Sequence, residues 1–221
     1  MDDLWSNKKK IYGMWGINIE LNDEDRMKLL KEDTYQFKQK LYLRKFPINW
    51  LLLDYVFFEE TGYRGYSSHR KAALQFIKVM NEKRNIPGLL YTDLHYFDHL
   101  PIVCSPIRLS YAVNPELMYG KRIKADVFFS VEKFASGTYL NWYAQTFLYP
   151  PYSYSGNEED FISLNNELFP KKNALIIYAW NNNWSNYFSA GREWMDAFLW
   201  TIYDTASNKL TVIGSSMTDW V

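Results

Sequence analysis

Cysteine is almost missing from this chain: Cys104 is the one thiol among 221 residues. No intrachain disulfide can form, and such usage suits a reducing compartment. A surplus of charge is missing as well. Lys plus Arg total 25 and Asp plus Glu total 25, so no net field draws the protein toward nucleic acid or an anionic membrane. Long hydrophobic runs are also lacking. The longest, near Trp50 to Phe58, is interrupted by Asp54 and is too short to span a bilayer. The first ten residues hold acids where a signal peptide has a basic region, and no apolar segment follows. The expectations are a cytoplasmic protein with no nucleic-acid and no membrane partner. Neither a glycine-rich phosphate loop nor a serine elbow occurs, so no cofactor is expected. No motif sets an oligomeric state.

What the chain has in quantity is aromatic rings, 19% of its residues. Rings favour pleated surfaces over helices. The length suits a single domain over residues 1–221. The plainest structural reading lies in the last quarter. Ala174 to Trp180 is an unbroken apolar run that reads as a buried strand. Trp194 to Tyr203 and Lys209 to Gly214 are β-rich runs, and the segment between them, Asp204 to Asn208, has a length suited to a hairpin.

Earlier in the chain, Asn22 reads as a helix cap. Met27, Leu30, Thr34, Phe37 and Leu41 follow at helical spacing. Trp50 to Phe58 lacks a period and should be buried on both sides, as a strand or a core helix. Ala73, Phe76, Ile77 and Met80 mark the inner face of another helix, with Ser67 or Ser68 at its start. Ile107 to Val113 alternates as a half-buried strand. So do 122–131 and 139–148, which read as an antiparallel pair across the Ser136-Gly137 turn. Asn157 caps a short helix carrying Phe161, Leu164 and Leu168, and Pro170 ends it. The expected class is α+β: a mostly antiparallel β-sheet covered on one face by two or three helices.

Chemistry is thinly marked. Asp93-Leu-His-Tyr-Phe-Asp-His99 places His95 and His99 four apart, a spacing that puts two imidazoles on one metal if the segment is helical. Asp93 or Asp98 would complete a metal-assisted hydrolase, the alternative reading. The set is not closed, because no third ligand is identifiable, and no metal is the primary expectation. His69, beside Arg70 and Lys71, reads as a surface residue. Cys104 reads as a small buried apolar group.

More informative are rings set in turn-like segments. Tyr152 and Tyr154 sit in the Pro150-Pro151 loop. Trp184 and Tyr187 sit beside Asn182 and Asn183 in another. Loops run on surfaces, where Tyr and Trp are enriched at contact hot spots. The expected function is therefore a soluble intracellular binding protein. It would recognise a protein partner with Tyr152, Tyr154, Asn182, Asn183, Trp184 and Tyr187. A bacterial immunity or antitoxin-type protein is one instance.

Overall fold

Extended runs pair side by side into one six-stranded sheet, and each pairing is antiparallel. The computed structural model describes residues 27–34, 36–37, 53–84, 110–149, 157–189, 191 and 197–216. The strands are β1 (Met27–Leu29), β2 (Leu53–Glu60), β3 (Gly120–Ile123), β4 (Leu175–Trp180), β5 (Ala197–Asp204) and β6 (Lys209–Ser216). Their order across the sheet is β1-β2-β6-β5-β4-β3. The helices are α1 (Tyr66–Arg84), α2 (Ala125–Phe128), α3 (Trp142–Leu148) and α4 (Glu158–Leu168). The class is α+β with helices packed on an antiparallel sheet, as expected, and the helical cover extends to both faces. Among the described residues no helix is long and apolar enough to cross a membrane.

Alternation along the strands divides the core in two. On one face Val56, Phe58, Leu199, Leu210 and Val212 meet Ala73, Phe76, Ile77 and Met80 of α1. This is the stripe expected from the helix's apolar spacing. The closest approach is over β6, where a Cβ built on Gly214 would overlap the Phe76 ring. Glycine there lets the helix settle onto the strand.

On the other face Leu53, Tyr55, Phe57, Trp200, Ile202 and Ile213 meet Tyr143, Phe147 and Leu148 of α3 and Phe161 and Leu164 of α4. Asn157 caps α4, accepting a bond from the Asp160 N–H at 2.7 Å. The β5–β6 hairpin turns where expected. Asp204 accepts from the Ala206 N–H at 2.9 Å and from the Ser207 hydroxyl at 2.7 Å, and Asn208 takes the left-handed conformation at φ 54.

Several expected strands and helices are replaced. Met27 opens β1 instead of a helix, and helical backbone begins at 31–34. Of the expected strand 122–131, only the start is extended. β3 ends at Ile123, and Ala125–Phe128 is helical. The expected strand 139–148 is α3. Asn141 accepts from the Tyr143 N–H at 3.0 Å and so starts the helix. Tyr143 with Phe147 and Ala144 with Leu148 then lie four apart on the buried side. Thus the antiparallel pair 122–131/139–148 does not form. The expected strand 107–113 contributes an isolated bridge between Val113 and Ser185, and its first residues lie outside those described. Trp50 to Phe58 resolves as strand from Leu53 onward. Its odd residue, Asp54, is half-buried and accepts a bond from the Tyr187 hydroxyl at 3.2 Å.

The second core is crossed by one hydrogen-bonded chain whose direction can be assigned. Asn165 donates through Nδ2 to the Phe161 carbonyl at 2.8 Å, which turns Oδ1 toward Tyr143. The Tyr143 hydroxyl donates to that oxygen at 2.9 Å. Its one proton is then used, so the Tyr55 hydroxyl, 2.9 Å away, donates to Tyr143. Burial pushes both phenols well above their usual pKa. Tyr143→Phe strands a buried donor on Tyr55 and a buried acceptor on Asn165, and is expected to cost about 1–3 kcal/mol. Tyr55→Phe removes only a donor to an oxygen already bonded, and is expected to cost about 1 kcal/mol. Urea midpoints at unchanged slope order the two variants, and equal costs would mean that the protons run the other way.

Candidate functional site

The site expected from turn-like segments is divided by the structure. Trp184 is 1% exposed and Tyr187 is 5% exposed; both belong to the core under α1. The Trp184 indole donates to the Asn181 carbonyl at 2.7 Å, folding its loop inward. Asn182 is half-buried and donates to the Ala197 carbonyl at 2.9 Å. Asn183 is exposed. These rings hold the loop to the sheet, because large apolar area beside an open core edge gains more from burial than from solvent. Tyr152 and Tyr154 lie outside the described residues, as do Asp93, His95, Asp98, His99 and Cys104. Among the described residues no group of three His, Cys, Asp or Glu side chains could hold a metal.

His69 corrects the surface expectation. It is fully buried, at the end of the first turn of α1. Its Nδ1 lies 2.8 Å from the Thr201 hydroxyl of β5, and its Nε2 lies 3.0 Å from the Tyr63 hydroxyl. Thr201 also accepts from the Trp180 indole at 2.9 Å. Tyr63 stacks on Tyr203 at 3.8 Å and 6°. Loss of solvent drives the imidazole pKa down to about 3, with the Arg122 charge acting in the same direction. Burial pushes the Tyr63 phenol up to about 12. Both shifts leave the groups neutral and weakly reactive near pH 7, the reverse of what acid–base work needs. The cluster ties α1 to β4 and β5.

A more open feature lies on the opposite face, where β3, β4 and β5 meet α2 and the start of α3. A cleft of about 230 Å³ is lined there by Ile123, Val127, Leu140, Trp142, Ala179 and Phe198, with Trp200 at its base. Trp142 stacks on Phe198 at 5.4 Å and 24°, and Phe198 stacks on Trp200 at 5.3 Å and 11°. Val127, Trp142 and Leu140 remain 55%, 50% and 44% exposed. Scattered exposed apolar side chains are ordinary, but three around one cleft form a patch. Asn141 is the polar side chain in the lining. Its amide is committed to the Tyr143 N–H and the Phe128 carbonyl. The cleft offers ring faces and apolar area, and no group in its lining titrates.

Trp142 lies within 139–148, the run that reads from sequence as a strand and is a helix from Trp142 to Leu148. The signal that finds it is the Asn141 cap: once Tyr143, Ala144, Phe147 and Leu148 form the inner side of a helix, Trp142 falls on the outer side.

A buried neutral histidine makes stability depend on pH. The unfolded imidazole takes up a proton near its ordinary pKa of 6.5, while the folded one resists until about 3. The folded state is therefore favoured fully above pH 6.5, and that advantage declines as pH falls through the window to about 3. The expected slope from this group is at most about 1.4 kcal/mol per pH unit. His69→Gln, which cannot titrate, should show a shallower decline than the parent between pH 6 and 4 in urea unfolding. Parallel curves would refute the assignment.

Comparison with known protein families, with curated proteins and with solved structures finds no match.

Proposed function

We propose that this chain is a soluble intracellular binding protein that recognises a protein partner, with the aromatic cleft beside Trp142 as its contact surface. The observation that carries the proposal is the half-exposed Trp142, stacked on Phe198 and flanked by exposed Val127 and Leu140. A tryptophan held by stacking loses little further freedom on association, so more of its apolar contact appears as affinity. The cleft volume, about 230 Å³, falls below the roughly 300–1,000 Å³ of small-molecule pockets. It suits one large side chain of a partner, in the manner of an interface anchor. The lining supports recognition without catalysis, since it presents rings and aliphatic groups. An immunity or antitoxin-type protein works in this way, covering a partner's active surface with no chemistry of its own. The intracellular placement is supported by the single cysteine.

Trp142→Ala and Leu140→Asp test the reading. Both side chains are about half exposed. Leu140→Asp should unfold within about 0.5 kcal/mol of the parent, and Trp142→Ala, which gives up the Phe198 stack, should stay folded at a cost of about 1–2 kcal/mol. A protein captured by the parent chain should be lost from both variants, and identical captured sets from all three chains would overturn the proposal.

A further inference from the structure

The cleft opens beside a sheet edge, and the two features share residues. Among the described residues β3 is the last strand on its side, with β4 as its one neighbour. In an antiparallel pair, residues exchanging both backbone bonds alternate with residues that exchange none. The Asn181 N–H donates to the Tyr119 carbonyl at 3.0 Å, so the bonded positions along β3 are Lys121 and Ile123. The peptide groups of Arg122 and the carbonyl of Gly120 consequently face the rim. Gly120 directs its N–H to the Tyr66 hydroxyl at 3.2 Å.

The side chains at this rim are sorted by face. Lys121 pairs with Ala179, a cleft residue, so it stands on the cleft face. Arg122 pairs with Tyr178. The Tyr178 ring meets His69 at 4.6 Å, so Arg122 stands on the α1 face. From Tyr119 to Val127 the chain carries Lys121, Arg122 and Lys124 against Asp126, three positive charges and one negative. Exposed apolar side chains flank the same rim: Tyr119 just before β3, and Val127, Leu140 and Trp142 around the cleft.

Charged residues alone guard an edge against pairing with anything. Apolar groups beside them give a matching strand something to bury. A second copy is a poor match, because an antiparallel β3–β3 contact would set Lys121 and Arg122 against the same cations. Acidic residues on an extended segment meet the opposite condition.

We infer that β3 is a docking edge for an extended, acidic segment of the protein partner. The segment adds as a further antiparallel strand and bonds the Arg122 peptide groups. Alternate carboxylates face Arg122, and a large apolar side chain on the other face enters the cleft beside Ile123 and Val127. Lys121 at the cleft rim receives a carboxylate at the end of that apolar row. The inference rests on the binding role assigned to the cleft and names the chemistry of its partner.

The test uses the full chain and a synthetic peptide of about ten residues alternating Glu and Val with one central Trp, titrated by calorimetry. Its counterparts carry Lys in place of Glu, or Pro at the centre. The acidic peptide should bind with a dissociation constant below about 100 μM, and both counterparts about tenfold or more weakly. Lys121→Glu with Arg122→Glu should weaken the acidic peptide about tenfold and favour the Lys peptide. Absence of binding up to about 1 mM, equal binding of the Lys peptide, or indifference to the charge reversal would overturn the inference. So would a dimer of the free chain that the acidic peptide fails to dissociate. Leu140→Asp separates the two readings. If it abolishes peptide binding while the charge-reversed chain binds as the parent does, the cleft stands and the edge falls. If Leu140→Asp binds as the parent does, the cleft itself is not the anchor.

Discussion

Burial of the sheet on both faces is the constraint from which the rest of the structure follows. β2, β5 and β6 have almost no side turned to water. Apolar burial there contributes on the order of 25 cal/mol per Å², and the polar groups buried between the two layers cannot fall back on solvent. Each must find a partner inside or be left costly. Thr201 meets His69 and the Trp180 indole. Thr34 receives the Phe57 N–H at 3.0 Å, and Glu60 the Gly62 N–H at 2.9 Å. Tyr55, Tyr143 and Asn165 close a chain across the second core. Among the described residues Ser215 Oγ is the buried side-chain oxygen left without a partner. The buried histidine is thus a product of the layered architecture. An imidazole between helix and sheet joins two hydroxyls while staying neutral, and its depressed pKa records the lack of water around it.

The same constraint governs what could be read from the sequence. A strand covered on both sides needs apolar residues at every position. β5 and β6 show this most plainly, and their hairpin adds a loop whose Asp204 and Asn208 suit a turn. The run Ala174 to Trp180, read as a buried strand, forms β4 from Leu175 onward, with Ile177 and Trp180 buried and its other side chains half-buried. α1 was legible from Ala73, Phe76, Ile77 and Met80, and α4 from its Asn157 cap. Where period-two alternation was strongest, it misled. Ile123, Ala125 and Val127 alternate because a strand end, a short helix and an exposed cleft residue follow in succession. The run 139–148 alternates loosely, but its decisive spacing is four, and Asn141 decides between the two periods. Met27 carried a helical spacing and became an edge strand by pairing with Glu60, a contact that no local pattern encodes.

The rings show why the candidate site was harder to read than the fold. An aromatic side chain in a turn-like segment has two fates, to fold back over a core margin or to stay outside. Trp184 and Tyr187 fold back into the core under α1, where Tyr187 packs edge-on against Phe76 and Asp54 takes its hydroxyl. That choice depends on a residue 133 positions away, beyond any window of local sequence. Trp142 had the opposite fate for a local reason. Its neighbours Tyr143 and Ala144 claim the buried side of α3, and the geometry of the helix turns Trp142 outward.

Among the described residues the helical cover thins toward one corner, and the proposed contact surface lies there. α3 and α4 lie over the middle of the second face, where Ile177, Ile202 and Ile213 are fully buried. Toward β3 the cover passes to α2, four residues long, too short to lay a continuous apolar stripe on a strand. Ile123, Ala179 and Phe198 are left half-buried, with Trp142 leaning on Phe198 in place of a further helix turn. β3 itself is four residues long and exposes Lys121 and Arg122. A short, charged, incompletely roofed strand is a weak end for a sheet built on two-sided burial. The same incompleteness gives an incoming strand both backbone groups and apolar area to cover. The corner that the chain's own helices leave partly open is therefore the one where an added strand would have the most to cover.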